Sequence, residues 1–546
     1  MPKTKRKAAA PEKTENPSLS LKERMAQKRK IARQRKEVIN FTVFTTFFSF
    51  IVGVILAMAN DPKVGLGAGV GILYVALSFK YPRHALWAFL IYLPFGGTIT
   101  YTIGNSPLLQ LAKDGFYVPA LFGVLQYCQR ERQPVFVNKS LKIPLGILTV
   151  LSLMTLIFAN GAEQLSGSDS GQPLAMGILG LKVFLGYIPL IVCAYYLLRN
   201  RQDLLFLMRL NVVLILTCCG LAFVQYLFLK TGRCAGTQFE SGQDLFRASL
   251  EARCFVGGSL LYSPQHGQIR LPGTFVAPWQ WGWYLISSAF LAFAPAFNDP
   301  KPLWRALGLV SLAFVFVMAV LSGQRVALAL VPTVFVLLLI LTGQVAQLKR
   351  FIPTAVGLSL VLGIAALRDP EVLQQRIESF QGRWEASPPH KFIEDQFIWV
   401  IGSHFKWFGN GLGKATNSAR TFGETRLIET YYPKVMYEVG PLGTMAFLFL
   451  VTTLTYVTFK LYRSLRDKTL RNYGASLWVF ILFISYNTYY YPLDVDPVAV
   501  YYWFFAGVIL KLPDIERQER RAALEAQEPE SSQTKRRKPL KRAGFA

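Results

Sequence analysis

Residues 41–59 and 143–160 contain no charged side chain, and apolar stretches of similar length recur along the whole chain. Nothing else constrains the fold as much. A hydrocarbon slab about 30 Å thick takes roughly 20 apolar residues as a helix, because lipid offers the backbone no hydrogen-bond partners. With 52% hydrophobic and 14% aromatic residues over 546 positions, the chain reads as an all-α integral membrane protein rather than a string of soluble domains. Hydropathy predicts about 14 transmembrane helices, at 41–59, 64–79, 85–100, 115–128, 143–160, 177–198, 205–229, 275–297, 303–321, 325–342, 351–367, 434–458, 473–490 and 496–511.

The charges give these spans a direction. The formal net charge is +27, much of it in two tails: Lys28 to Lys36 near one end, Lys535 to Lys538 and Lys541-Arg542 near the other. Placing the basic N-terminal tail inside puts Lys80–Arg83, the Gln129–Lys142 connection, Arg199-Asn-Arg201, Lys349-Arg350 and Lys460–Arg471 on the same side. The connection 160–175, which carries Glu163 and Asp169 and no basic residue, falls on the other. Basic connections mark the cytoplasmic face, so the expectation is a multi-pass protein of the cytoplasmic (inner) membrane with both termini cytoplasmic. The tails are expected to touch anionic membrane lipids and not nucleic acid. The first shows no small-residue cleavage site of a signal peptide. The predicted organisation is a basic tail at 1–38, a polytopic membrane domain at 39–512 and a basic, disordered tail at 513–546. Two large outer loops, 230–272 and 368–433, interrupt the membrane domain, and segments 370–382 and 391–407 of the second read as short amphipathic helices over the outer mouth.

Against this frame, Arg325 is out of place. It lies in the hairpin Ser322-Gly323-Gln324-Arg325 between two apolar runs, on the outer side where basic residues are scarce. An arginine next to the apolar slab costs a few kcal/mol unless paired or hydrated, and so marks a functional site by default. Arg270 falls on the same side, in Arg270-Leu-Pro-Gly-Thr-Phe275, where Pro272 and Gly273 break the chain before the span at 275–297. A guanidinium is a planar fork of donors matched to phosphate oxygens. Two of them could clamp a diphosphate leaving group; the plainer readings are a headgroup anchor for Arg270 and a structural ion pair for Arg325.

Glu429-Thr-Tyr-Tyr432 and Glu438-Val-Gly440-Pro-Leu-Gly443 bring the second outer loop back into a span. Glu429, on the loop side of Pro433, could act as general base on a hydroxyl or be a solvated charge. Glu438, deeper, could pair with a buried arginine or cap backbone. Gln280 and Tyr431 adjoin these motifs and complete the expected substrate contacts with Arg270, Arg325 and Glu438. The glycines of Trp407-Phe-Gly-Asn-Gly-Leu-Gly413 make a tight turn without the βαβ context of a nucleotide site. Among His84, His266, His390 and His404, local spacing selects none as a base. Cys128, Cys193, Cys218 and Cys219 read as packing residues, while Cys234 and Cys254 share an outer loop and could be bonded or free. No CxxC pair or histidine cluster points to a metal, and no cofactor is expected.

The order of these motifs resembles the bacterial O-antigen ligase and O-antigen polymerase family: arginine then Pro-Gly-Thr-Phe, a Ser-x-x-Arg hairpin, a long outer loop with Phe-Gly-x-Gly-x-Gly, and Glu-x-Gly-x-x-Gly. It covers roughly residues 175–460. The resemblance implies a membrane glycosyltransferase of GT-C type, independent of metal and nucleotide sugar, whose donor is a polyprenyl-diphosphate-linked oligosaccharide and whose acceptor is a glycan, lipid or protein. It also implies that Arg270 and Arg325 hold the lipid diphosphate. Many ligases carry His-Asn nine residues before the glutamate of Glu-x-Gly; Glu429-Thr430 stands there in this chain, which leaves ligase and polymerase both open. The rival class is a membrane transporter or exporter of an anionic or glycan substrate.

Overall fold

Helices form wherever an apolar run must satisfy its own backbone, and the computed structural model is about 78% helical with almost no sheet. It describes residues 21–527 except 60–61, 105–111, 136, 168–170, 247–248, 265–266 and most of 351–369. The expected span at 351–367, His266 and the outermost parts of both tails therefore lie outside the described residues. Eight helices among the described residues are long and apolar enough to cross a membrane, and 64–80 and 325–341 are shorter apolar helices.

The chain divides into two units, the first ending at Lys80. In that unit α1 (Leu21–Ala59) packs on α2 (Pro62–Lys80). The contact depends on glycine: a Cβ on Gly65 would lie 2.3 Å from the Gly53 carbonyl oxygen. Small residues let two helices approach closely where lipid supplies no hydrophobic drive. Helix α1 begins at Leu21, inside the segment expected as a tail.

The second unit contains α3 (Pro82–Ile103), α4 (Ala112–Arg130), α5 (Lys139–Leu165), α6 (Pro173–Leu197) and α7 (Arg201–Lys230). A loop region with a two-stranded antiparallel ribbon follows, β1 (Leu261–Ser263) with β2 (Gln268–Arg270), and a Cys234–Cys254 disulfide closes the loop. Then come α8 (Pro278–Asn298), α9 (Pro302–Leu321), α10 (Arg325–Leu341), the loop helices α11 (Pro370–Ala386) and α12 (Pro389–His404), α13 (Tyr431–Ser464), α14 (Lys468–Tyr486) and α15 (Val498–Gln527). Helices α8 and α15 are the centre: Trp281, Phe290, Phe293, Tyr501, Tyr502 and Phe504 are fully buried.

Helix α15 corrects the tail expected to start at 513, since it continues to Gln527. Glu519 on that extension receives a two-pronged hydrogen bond from Arg201, at 2.9 and 2.7 Å. The segment is rich in Glu, Arg and Ala, which favour helix, and the bond to α7 holds its near half in place.

Candidate functional site

Arg270 closes strand β2, and its position follows from the turn after it. Leu271 donates its N–H to the Ser322 carbonyl at 3.0 Å. Gly273 adopts φ +58°, and a Cβ there would lie 2.4 Å from the Trp281 ring. Gln225 of α7, fully buried, accepts from the Gly273 N–H at 3.2 Å and donates to the Cys254 carbonyl at 2.9 Å. Thr98 of α3 donates its N–H to the Thr274 carbonyl. The Pro272-Gly273 break is thus clamped by three helices and the hairpin that carries Arg325.

That hairpin turns at Gly323, φ +72°. Gln324 caps α10, and Arg325 opens it. The Arg325 Nη1 reaches the Ser379 carbonyl of loop helix α11 at 3.5 Å. Arg270, Arg325 and Glu429 line one cleft of about 140 Å³, together with Tyr262, Trp279, Trp283, Tyr490 and Tyr491. All three expected chemical residues are partly exposed to it. Two guanidiniums and one carboxylate therefore face a space walled by aromatic rings.

Glu429 is held by the strand-like pairing of its neighbour Thr430 with Tyr489. Tyr431 donates its N–H to the Thr488 carbonyl at 2.6 Å. The connection from α14 to α15 is itself anchored: Trp283 Nε1 donates to the Tyr490 carbonyl at 3.1 Å, Lys434 pairs with Asp494, and Lys113 pairs with Asp496. Tyr490 and Tyr491 both have positive φ, +55° and +35°. Non-glycine residues pay for that conformation, and it persists only where surrounding contacts over-determine it. Burial, with the Glu429 carboxylate as the next cause, pushes the Tyr491 phenol up, so it stays a proton donor. Burial likewise raises the Asp494 carboxyl against the pull of Lys434.

The other expected contacts are elsewhere. Gln280 lies in the first turn of α8 and reaches back to its cap, accepting from the Ala277 N–H at 3.3 Å; it does not line the cleft. The Tyr431 ring is buried against Tyr432 and Phe447. Glu438 is buried and caps backbone: its Oε1 accepts from the Ala415 N–H at 2.8 Å and the Thr416 hydroxyl at 3.0 Å. Capping was one of its expected roles; the buried-arginine pairing is not seen in these bonds, and Glu438, expected also as a substrate contact, does not line the cleft.

Glu438 belongs to a break in α13. Gly440 has φ +72° and ψ 178°, and Pro441 follows it. Proline has no N–H to give the carbonyl four residues back, so Tyr437 is left with a spare acceptor and Glu438 is freed by the kink. Asn410 and Gly411 of the glycine turn donate to these two carbonyls, at 2.7 and 3.1 Å. A Cβ on Gly409 would lie 2.2 Å from the Glu438 oxygen. The glycines at 409–413 are thus needed for close backbone approach. Asn160 pins the far side of the turn, exchanging hydrogen bonds with Leu412 at 2.9 and 3.0 Å.

His404 packs at a tilt against Trp399 and Tyr437, which stack on each other, and none of His84, His390 and His404 lines the cleft. The aromatic wall was not foreseen. Its signal was the run Tyr489-Tyr-Tyr491 before Pro492, in a connection outside the span of the family resemblance. No protein-family model matches the chain, and no curated protein matches it.

Proposed function

We propose that this protein is a membrane glycosyltransferase of O-antigen ligase or polymerase type, working at the outer face of the cytoplasmic membrane. The observation that supports this most is the meeting of Arg270, Arg325 and Glu429, from three separate stretches of chain, in one aromatic-walled cleft. In this reading the described helices belong to the 14-span arrangement, with both termini inside and the cleft outside.

An outer site has no cytoplasmic nucleotide sugar to draw on, so the donor carries its own activation as a polyprenyl diphosphate. Arg270 and Arg325 hold the diphosphate oxygens. An acceptor hydroxyl oxygen attacks the anomeric carbon, the new C–O bond forms, and the bond from that carbon to the phosphate oxygen breaks. The electron pair leaves with the diphosphate, whose growing charge the two guanidiniums stabilise. Glu429 takes the hydroxyl proton. Trp279, Trp283 and Tyr490 offer flat apolar faces to the sugars. A single displacement of this kind inverts the anomeric centre.

A second reading, a transporter or exporter, draws on the ion pairs Lys113–Asp496, Lys434–Asp494 and Lys182–Asp114. Paired charges inside a membrane domain commonly line transport paths. The test is purified protein in proteoliposomes given a polyprenyl-diphosphate oligosaccharide. Glycan transfer detected by mass spectrometry, and lost in Arg325→Ala, supports the enzyme. Movement of the oligosaccharide across the bilayer without a new glycosidic bond overturns it in favour of transport.

A further inference from the structure

Helix α10 starts at the cleft with Arg325, α13 starts two residues after the cleft residue Glu429, and the two end together at a second site. At 1.5 Å per residue, the 17 residues of α10 place Leu341 about 25 Å along the helix from Arg325. At that far end lies a second concavity, of about 360 Å³, between Leu341 of α10 and Thr342 just after it, Tyr462 and Arg463 of α13, and Arg471 and Asn472 of α14. Gly474 makes the wall close: a Cβ there would lie 2.8 Å from the Tyr462 Cβ.

Among the described residues the arginines of this groove meet no carboxylate, and Arg463 lies over the Phe459 ring, 5.9 Å from its centre. Asp467 pairs with Arg201 at 2.8 Å and caps the Leu470 N–H. Glu516 accepts from the backbone N–H groups of Arg466 and Asp467. Asp299 is taken by both prongs of Arg209, at 2.9 Å each. Among the described residues, Arg463 and Arg471 are in no ion pair with a carboxylate, although acids stand close by in the sequence. Two guanidiniums beside an amide are suited to the oxygens of a phosphodiester.

The surface beside the groove says what kind of phosphodiester. Leu341 on its edge is 40% exposed, and Ile340 and Val336 continue the stripe along α10 at 61% and 52%. Val336 and Ile340, four residues apart, share one face of α10, and Leu341 stands about 100° round from Ile340 at the groove edge; all three are apolar and exposed among the described residues. A soluble anion would gain nothing from them, whereas acyl chains would lie along them. Basic pockets between helices at a membrane interface bind anionic lipid headgroups in this way.

We propose that the groove is a binding site for an anionic phospholipid of the leaflet opposite the cleft, with Arg463 and Arg471 on the phosphate and the acyl chains along Val336, Ile340 and Leu341. The site is separate from the transfer chemistry and does not depend on it. The full-length protein in a neutral detergent is titrated with phosphatidylglycerol, phosphatidylcholine or inorganic phosphate, and retained lipid is read by native mass spectrometry. The wild-type protein is expected to retain phosphatidylglycerol over phosphatidylcholine, and Arg463→Gln/Arg471→Gln to lose that preference, with affinity reduced about tenfold or more (roughly 1.4 kcal/mol per tenfold). The control Arg130→Gln/Arg132→Gln is expected to keep it. If the double variant does not fold, Arg471→Gln, at an exposed position, carries the same comparison. Equal retention of both lipids by the wild type, or an unchanged preference in the variant, overturns the proposal. So does competition of inorganic phosphate with phosphatidylglycerol at equal concentration, which would mark a free-anion site.

Discussion

The Leu271 N–H and the Ser322 carbonyl are 3.0 Å apart, and this one backbone bond ties the turn after Arg270 to the hairpin before Arg325. The two guanidiniums are brought to one cleft by main chain, not by flexible side-chain reach. Pre-positioned donors of this kind stabilise a developing anion without reorganising.

If both arginines grip one diphosphate, lysine should not replace either. Arg270→Lys and Arg325→Lys keep the charge and lose the planar fork. Each is expected to lower kcat/KM by roughly 10- to 100-fold, the size of about 1.5–3 kcal/mol in charge-assisted hydrogen bonding. The double variant should fall short of the product of the two, since both contacts serve one ligand. Transfer assays normalised to protein in the membrane check this; wild-type rates in either variant would remove the clamp.

Glu429→Gln keeps the size of the side chain and removes the base. Transfer is expected to drop by about 10²- to 10⁴-fold with little change in KM for the donor. A loss confined to KM would make Glu429 a binding residue instead.

Glu438 can be tested as a cap. Gln at this position retains an oxygen for the Ala415 N–H and the Thr416 hydroxyl, whereas Ala leaves both without their acceptor. We expect Glu438→Ala to destabilise by about 2–4 kcal/mol and Glu438→Gln far less, read by thermal unfolding in detergent. The reverse pattern, full stability with lost transfer in the Gln variant, would return Glu438 to the substrate.

Tyr490 separates strain from function. At φ +55° a tyrosine pays about 1–2 kcal/mol that glycine and asparagine largely avoid. Tyr490→Asn should therefore unfold at no lower temperature than expected for losing the ring's packing, while transfer falls because the sugar loses a stacking face. Unaltered transfer would mean that the ring only fills space.

Asp467 supplies a pH dependence. Burial works to raise its carboxyl, but hydrogen bonds from Arg201 and from the Leu470 and Thr469 N–H groups outweigh it and hold it below the usual carboxylate range. A depressed folded-state value stabilises the protein above the unfolded value, near 4, and that stability is lost as pH falls through the lower folded one. Thermal unfolding at pH 6 and pH 3 should show a smaller acid-induced drop in Asp467→Asn than in wild type. Identical drops would place the acid sensitivity elsewhere.

Residues 41–59 and 143–160 could be recognised as helices without any neighbour, because their own apolar side chains and internal hydrogen bonds decide the matter. Arg270, Arg325 and Glu429 were likewise visible, as charges that a lipid slab does not tolerate without cause. Gln280 and Tyr431 were misplaced for the opposite reason. Adjacency in sequence does not say on which side of a helix start a side chain falls, and Gln280 turned back to its own cap. The glycine turn looked like a loop feature; its purpose appeared only beside the kink at Gly440, whose carbonyls it satisfies.

What the sequence determined alone is the class of protein and the identity of its unusual charges, since both follow from local transfer free energies. What tertiary structure decided is the cleft. The Tyr489–Tyr491 turn reaches Glu429 across the packing of α13, α14 and α15, held in a strained conformation by Trp283 and by the pair Lys434–Asp494. Such strain has no local stabilisation to announce it in sequence. It exists only because distant contacts leave the turn no other conformation.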